Sequence, residues 1–567
     1  MPETDPETDA ASSSRQSHAG SVAAGIFSSR IMGLVRQVTV SYFFGISAHT
    51  DVYEAAFKGP NLLQNLLGEG TISAAFIPIY SRLLDEGRER EAGRFAGAVF
   101  GLLVTTVAAL VLLGIALAEP LVTILTPGFV DDAAKVAAGQ LPIDRFALTV
   151  QAVRIIFPMT GVLVLSAWAL GVLNSHRRFF VPYVAPVLWN VAIISALFGV
   201  AAFFTPESPQ DDGALPVEAL NRLLFAAFFG ALVGGLLQFL VQLPLVFRLM
   251  KGFRFSLSTK VEGVRDALAA FGPVVAGRGV YQLSAYLDVL MASLLAAGAL
   301  ASLRPAQMLY LLPVSLFGQS VAASELPELS RLGEEESRSF FPRLDQSMRQ
   351  TLFLTVPAAV GYLCLGFLIV GGLLRRGEFG LMDNWLVYAV LGGYSLGLMA
   401  TTLSRLLQNG FWALRDTKTP AKIAVVRVVV SAAVAVPTMF ALDRFSVPEM
   451  LGFVTEDDPL YFGAVGLALG STVGAWVELW RLGKSLRQQI PSFVVPWRRM
   501  AGMVGLSVGA VLPAAGLWWL LAAWPMLPVA VLVAGVYGGL YLALARLLRF
   551  SELETWTGRF LRRFRRS

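Results

Sequence analysis

The apolar residues of this chain are gathered into long uninterrupted runs, such as VFGLLVTTVAALVLLGIALA (99–118) and PMLPVAVLVAGVYGGLYLALARLL (525–548). Runs of ~20 apolar residues match the hydrocarbon thickness of a bilayer. In lipid the backbone must satisfy its own hydrogen bonds, so runs of this length mean helices. Only 15% of the 567 residues are charged, where a soluble chain would carry roughly a quarter. The chain therefore reads as an all-α polytopic membrane protein.

Fourteen candidate spans can be drawn, at about 21–46, 51–81, 95–118, 146–173, 181–204, 219–247, 264–298, 303–330, 350–374, 384–409, 420–441, 460–481, 499–520 and 525–548. Loops after even-numbered spans are rich in Lys and Arg, as in RLMKGFRFSLSTKVEGVR (248–265) and the tail GRFLRRFRRS (558–567). Loops on the opposite side are acidic or neutral, as in TPESPQDDGALPVEA (205–219), with RRGEFG (375–380) as the exception. The positive-inside rule then places both termini in the cytoplasm. It also accounts for the net charge of +6 without any nucleic-acid partner. Residues 1–20 are polar and acidic with no apolar core, which reads as a disordered cytoplasmic tail rather than a signal peptide. Residues 550–567 form a basic tail. The single cysteine, Cys364, excludes an internal disulfide, and three scattered histidines make a metal centre improbable.

Fragments recur along the chain. AFIPIYSRL (75–83) resembles SELPELSRL (324–332), and VAAGIFSSRI (22–31) aligns loosely with VVAGRGVYQL (274–283). The offset covers an even number of spans, so the two copies keep the same topology. The expected architecture is two six-helix lobes, residues 21–250 and 264–488, related by a pseudo-twofold axis along the membrane normal. The two C-terminal spans, 497–549, are an appendix.

Charge inside these spans is the main functional signal. Span 1 contains Arg30 and Arg36, roughly 13 and 22 Å beyond its start near Ser21. A central arginine costs ~2.5–3.5 kcal/mol on insertion scales, so intramembrane charge marks function or pairing. Span 2 opens with Asp51, Glu54 and Lys58 on one helical face, followed by GPNLLQNLLGEG (59–70). There Pro60, Gly68 and Gly70 are expected to interrupt the helix around Glu69. Local pairing of the first three residues with span 1 is the alternative to a functional role. Span 7 holds Arg278 between two glycines. Arg405, Arg427 and Glu478 lie nearer span ends and read as structural. The excess charge in spans 1 and 7 is positive, which implies an anionic substrate. Arginine suits a phosphate because its planar fork binds two oxygens and never deprotonates. No GxxxxGK[ST] phosphate loop is present, so energy must come from a gradient, the membrane potential or substrate supply. The chain reads as a transporter, not an enzyme, with no cofactor.

SSRIMGLVRQ (28–37), TDVYEAAFKGPNLLQNLLGEGTISAAFIP (50–78), LNSHRRFFVPYVAPVLWN (173–190), LPVSLFGQSVAASELPELS (312–330), LLRRGEFGLMD (373–383) and FWALRDTKTP (411–420) resemble the MurJ/MviN lipid II flippases. That family belongs to the multidrug/oligosaccharidyl-lipid/polysaccharide exporter superfamily. The resemblance covers nearly the whole chain in order. It implies fourteen helices, two lobes around a cationic cavity, and movement of undecaprenyl-diphosphate-linked peptidoglycan precursor to the outer leaflet of the bacterial cytoplasmic membrane. Arg30 and Arg36 match the family's first-helix arginines. Asp51, Lys58, Asn61 and Glu69 match its polar second-helix motif. Two departures stand out. Gln64 and Asn65 follow PNLL where relatives carry arginine, and AQMLYLLP (306–313) replaces a charged ADRLxELP pattern. Arg278 or Arg304 is a candidate substitute. The expected mechanism is alternating access, with Na⁺, H⁺ or the membrane potential as driving force. An exporter of another polyprenyl-linked glycan or drug, or a transport-inactive scaffold of cell-wall synthesis, are the alternatives.

Overall fold

The computed structural model describes residues 6–204, 215–319, 337–453 and 459–553. Side chains are described for these except at 6–23, 69, 204, 276–285, 318–319 and 337–339. The repeat fragment at 324–332 and the side chains of Glu69 and Arg278 thus lie outside the described residues.

The described chain is helical throughout, with one isolated antiparallel bridge between Ser446 and Tyr461. By contact the chain divides into two compact units, Met1–Leu294 and Leu295–Ser567. The first contains α1 (Pro6–Phe44), α2 (Ala48–Leu67), α3 (Glu69–Ala75), α4 (Ile77–Asp85), α5 (Glu89–Ala116), α6 (Ala118–Leu125), α7 (Asp132–Ala137), α8 (Arg145–Ser175), α9 (Phe180–Phe204), α10 (Val217–Leu240), α11 (Leu243–Leu249) and α12 (Val264–Ser293). The second contains α13 (Ala299–Pro313) with a π turn over Val314–Gln319, then α14 (Ser337–Leu374), α15 (Leu381–Ser395), α16 (Leu398–Ala413), α17 (Lys418–Leu442), α18 (Val447–Met450), α19 (Gly463–Gln489), α20 (Trp497–Leu520) and α21 (Met526–Leu547).

Among the described residues, eight helical segments are long and apolar enough to cross a membrane. The pair α15 and α16, bent by 40°, makes a ninth. The other five expected spans fall on α1, α2 to α4, α12, α13 and α19, which do not reach that standard. α13 has only 15 residues. The second expected span is broken, though not where its prolines suggest. Pro60 sits inside α2, and the break comes at Gly68. A proline is tolerated inside a membrane helix when neighbours compensate the missing hydrogen bond. At Gly68 a Cβ would collide with the Gln64 carbonyl, so only glycine permits that turn. Gly70 lies within α3 and does not interrupt it.

In the first unit α8 is the buried centre, packed by α2, α5 and α10. Phe76, Tyr80, Phe95 and Trp168 fill its core, with Phe76 stacked on Phe95 at 5.4 Å between ring centroids. α12 packs on α2, α3 and the 3-10 turn Pro127–Phe129, and so belongs by contact to this unit. The repeat expected from the sequence would instead put this helix at the head of the second copy. Contact and repeat are different partitions and need not share a boundary. Residues 250–263, between α11 and α12, run back along α5. Gly93, Gly97 and Gly101 of α5 lie directly under the backbone of Lys251, Arg254 and Ser256. Small residues spaced by four let two backbones approach in this way. Arg88 clamps the end of the strap through Glu86 at 2.9 Å, Glu262 and Glu91. Lys251 pairs with Glu89 at 2.8 Å.

The second unit is built around α14, α16, α19, α20 and α21, whose apolar faces share one core. Gly466, Gly470 and Gly474 of α19 press against α17; a Cβ on Gly470 would stand 2.6 Å from that of Ala435. The two C-terminal helices are integral to this core rather than appended. Tyr537 Oη donates to the Pro357 carbonyl at 2.8 Å and Tyr541 Oη to the Phe353 carbonyl at 2.9 Å, joining α21 to α14.

Candidate functional site

The first unit holds a cavity of about 360 Å³ enclosed by α1, α2, α8, α9 and α10. Arg30 lines it from α1 and Gln64 from the last turns of α2. Ser29 of α1, Ser166 of α8, Tyr183 of α9 and Gln238 of α10 add to its polar lining. α1 can lie close to α9 here because a Cβ at Gly25 would meet Tyr183 Cβ at 2.7 Å. The arginine expected to be hardest to accommodate in lipid is exposed and lines a cavity of mixed polar and apolar character. Among the described residues, its guanidinium is the one positive group lining the cavity.

Arg36 is not among the lining residues. It is half-buried one turn and a half further along α1. Its Nη1 donates to Tyr53 Oη at 2.8 Å, and its guanidinium lies over the Trp189 ring at 4.8 Å from the centroid. A cation over an indole face gains ~0.5–2 kcal/mol. Tyr53 is itself fixed against Phe57 and Phe228. Arg36 thus sits in an aromatic enclosure, apart from Arg30.

Asp51 is 1% exposed and has a different partner from those expected. Arg145, at the start of α8, donates from Nη1 to Asp51 Oδ2 at 3.0 Å. The same guanidinium binds Asp132 with Nε to Oδ2 at 2.5 Å and Nη2 to Oδ1 at 3.2 Å. Lys135 Nζ reaches Asp132 Oδ1 at 3.1 Å, and the Arg145 guanidinium stacks over Phe129 at 4.2 Å. The network pins α2, α7 and α8 together. It adds a long-range partner, on α8, to the local pairing expected of Asp51. Breaking such a pair strands a buried charge, at a cost of ~3–5 kcal/mol.

Lys58 and Asn61 are half-buried on α2. The backbone carbonyl of Lys58 accepts from Tyr286 Oη at 3.1 Å, which ties α12 to α2. Glu69 stands at the start of α3 and Arg278 within α12, with their side chains outside the described residues. No group of three or more metal-ligating side chains occurs among the described residues.

In the second unit, Glu478 is 2% exposed and receives Arg427 Nη1 at 2.6 Å and Gln408 Nε2 at 2.8 Å. This closed pairing is structural, in line with the reading of these charges from sequence. In the AQMLYLLP segment, Gln307 donates to Tyr394 Oη at 3.1 Å. Three residues on, Tyr310 Oη donates to Thr401 Oγ1 at 2.9 Å. A neutral network occupies that face of α13.

Sequence reasoning missed Arg145 and Asp132, because both fall at the edges of polar loops where charge is ordinary. Gln238 and Gln242 are, in the sequence, ordinary polar residues within an apolar run. Ser166 and Tyr183 carried no signal, since both residue types are common in membrane helices.

The model of the family described as lipid II flippase MurJ matches residues 40–536. The lipid II flippase MurJ of Burkholderia cenocepacia is 32% identical over 402 residues, covering 70% of this chain and 73% of the relative. A probable lipid II flippase MurJ of Rhizobium tropici is 34% identical over 420 residues, covering 73% and 74%. Among solved structures, a lipid II flippase MurJ in an inward closed conformation has the same fold, with a TM-score of 0.65 at 22% identity over 93% of this chain and 99% of that one. An inward-facing multidrug resistance MATE family transporter of the MOP superfamily shares it more distantly, with a TM-score of 0.55 at 15% identity over 82% and 95%. This multi-pass membrane chain belongs to the lipid II flippase MurJ family.

Proposed function

We propose that this protein moves undecaprenyl-diphosphate-linked peptidoglycan precursor, lipid II, from the inner to the outer leaflet of the cytoplasmic membrane by alternating access. Family membership supports the substrate class. The observation that carries the reading at residue level is Arg30 of α1, which lines a cavity together with uncharged polar side chains. A fixed cation there favours the diphosphate, because charge-assisted bonds to phosphate are roughly twice as strong as neutral ones. Arg36 and Arg278 are proposed to add positive potential along the same route, and Lys58, Asn61 and Glu69 to contact or gate it. Asp51 is proposed to hold α2 in place through Arg145. The polyprenyl tail is proposed to stay in lipid. The termini are proposed to be cytoplasmic.

Outward movement of an anion is favoured by an inside-negative potential, at ~2.3 kcal/mol per charge per 100 mV. The membrane potential is therefore the proposed driving force, with coupling to Na⁺ or H⁺ as an addition to it. Replacing Arg30 with Ala in the full chain is expected to abolish rescue of cells depleted of their own flippase, with membrane insertion unchanged. Normal growth of that strain would remove Arg30 from the mechanism. The neutral residues Gln64 and Met308 favour a second reading, a scaffold of cell-wall synthesis without transport. Failure of the unaltered, correctly inserted protein to rescue would select it.

A further inference from the structure

The lining of the cavity is chemically mixed. Arg30 brings a guanidinium, which only donates, whereas Gln64, Ser166 and Gln238 are uncharged. The hydrogen bonds among the uncharged groups fix their character. Ser166 Oγ accepts from Gln242 Nε2 at 2.7 Å and from Gln238 Nε2 at 3.4 Å. Gln242 Nε2 also reaches the Gln238 carbonyl at 2.8 Å. A hydroxyl has two lone pairs and one proton. Both lone pairs of Ser166 are engaged, so its O–H is the part left to act on a ligand. Gln238 spends its amide N–H on Ser166 and keeps its side-chain carbonyl oxygen as an acceptor. Gln64 contributes a second primary amide, able to donate and accept. Gln242, 1% exposed, backs the arrangement from the far side of Ser166.

A surface that offers donors and acceptors side by side is poorly matched to a phosphate or carboxylate, which needs donors alone. It matches a neutral group that carries both, such as a sugar hydroxyl pair or an N-acyl amide. We propose that Gln64, Ser166 and Gln238 form a subsite for the uncharged, hydroxyl- or amide-bearing part of the headgroup, next to a phosphate held by Arg30. The volume of about 360 Å³ lies at the small end of ligand pockets. It accommodates one ring or a short amide-linked stub, not a whole disaccharide–peptide. Apolar walls from Leu163, Leu170 and Pro186 suit the less polar face of such a ring. Polar side chains held this way within membrane helices are costly unless used, which argues against a purely passive ladder. The subsite makes the pocket a reader of what is attached to the diphosphate, and so a specificity determinant for the transport proposed above, on which it rests.

The test uses the full chain in lipid nanodiscs and two probes, undecaprenyl diphosphate and lipid II, with affinity measured for each. The unaltered protein is expected to bind lipid II more tightly. Gln238→Leu and Ser166→Ala should each weaken lipid II by about three- to tenfold, the value of one lost hydrogen bond, and leave the bare diphosphate lipid within twofold. Arg30→Gln should weaken both probes. Equal losses on both probes for Gln238→Leu in a variant of normal thermal stability, or no loss on lipid II, would overturn the subsite alone. If Gln238→Leu fails to fold, Gln64→Leu decides, since Gln64 is only half-buried at the cavity wall. Unchanged lipid II binding in that variant overturns the proposal. Binding of neither probe by the unaltered protein would instead overturn the flippase reading, and this subsite with it.

Discussion

Asp51 shows how a residue's role depends on partners far away in sequence. From the sequence it is a carboxylate in a polar motif at the head of an apolar helix, as ready to meet a substrate as to meet a neighbour. In the structure its oxygen is held by Arg145, and Arg145 is shared with Asp132. Arg145→Met should therefore cost ~3–5 kcal/mol, read as a fall in melting temperature and in yield from the membrane. Asp51→Asn should cost less, because the amide oxygen still accepts a hydrogen bond from the guanidinium. If Asp51→Asn kept full stability yet stopped export, the carboxylate would have a substrate role after all. Arg30 was legible for the opposite reason: a charge inside an apolar run needs no distant information to stand out. What could not be read was its company. Ser166, Tyr183 and Gln238 come from three other helices, and no local pattern links them.

At the scale of elements, periodicity and run length located the helices well, while their interruptions depended on backbone contacts. Pro60 looked like a breaker and is not one; Gly68 is, because of a carbonyl four residues back. The glycines of α5 and α19 recur every four residues in the sequence, and that spacing was the available signal for close packing. The strap over α5 gives an acid-sensitive element outside the membrane. Hydrogen bonding to Arg88 holds the Glu262 carboxyl below its ordinary value of 4.5. A depressed carboxylate contributes stability that is complete above the unfolded value and is lost as pH falls through the folded one. Proteolysis of residues 250–263 in the purified protein should therefore be slow at neutral pH and accelerate as pH drops below about 4.5. An Arg88→Ala variant should show the fast rate at neutral pH as well. A pH-independent rate in the unaltered protein would mean that the glycine contacts alone hold the strap.

For the whole molecule, hydropathy was enough to place the chain among polytopic helical proteins, and ordered motif matches were enough for the family. The status of the last two helices was not legible, since apolar spans after a twelve-helix repeat look dispensable. Their tyrosine bonds to α14 and their share of the second unit's core make them structural. A chain truncated after Gln489 should accumulate poorly and resist purification as a monodisperse species, whereas Tyr541→Phe should lower stability by only ~0.5–1.5 kcal/mol. The buried network of the first unit has a consequence in time as well as in space. Asp51 and Arg145 are 94 residues apart. At synthesis rates of about 5–20 residues per second, Asp51 leaves the ribosome roughly 5–20 s before its counter-ion exists. For that interval the carboxylate at the head of α2 lacks its Arg145 partner. Its final seating must wait for α8, so the order of assembly in the first unit is written into one ion pair.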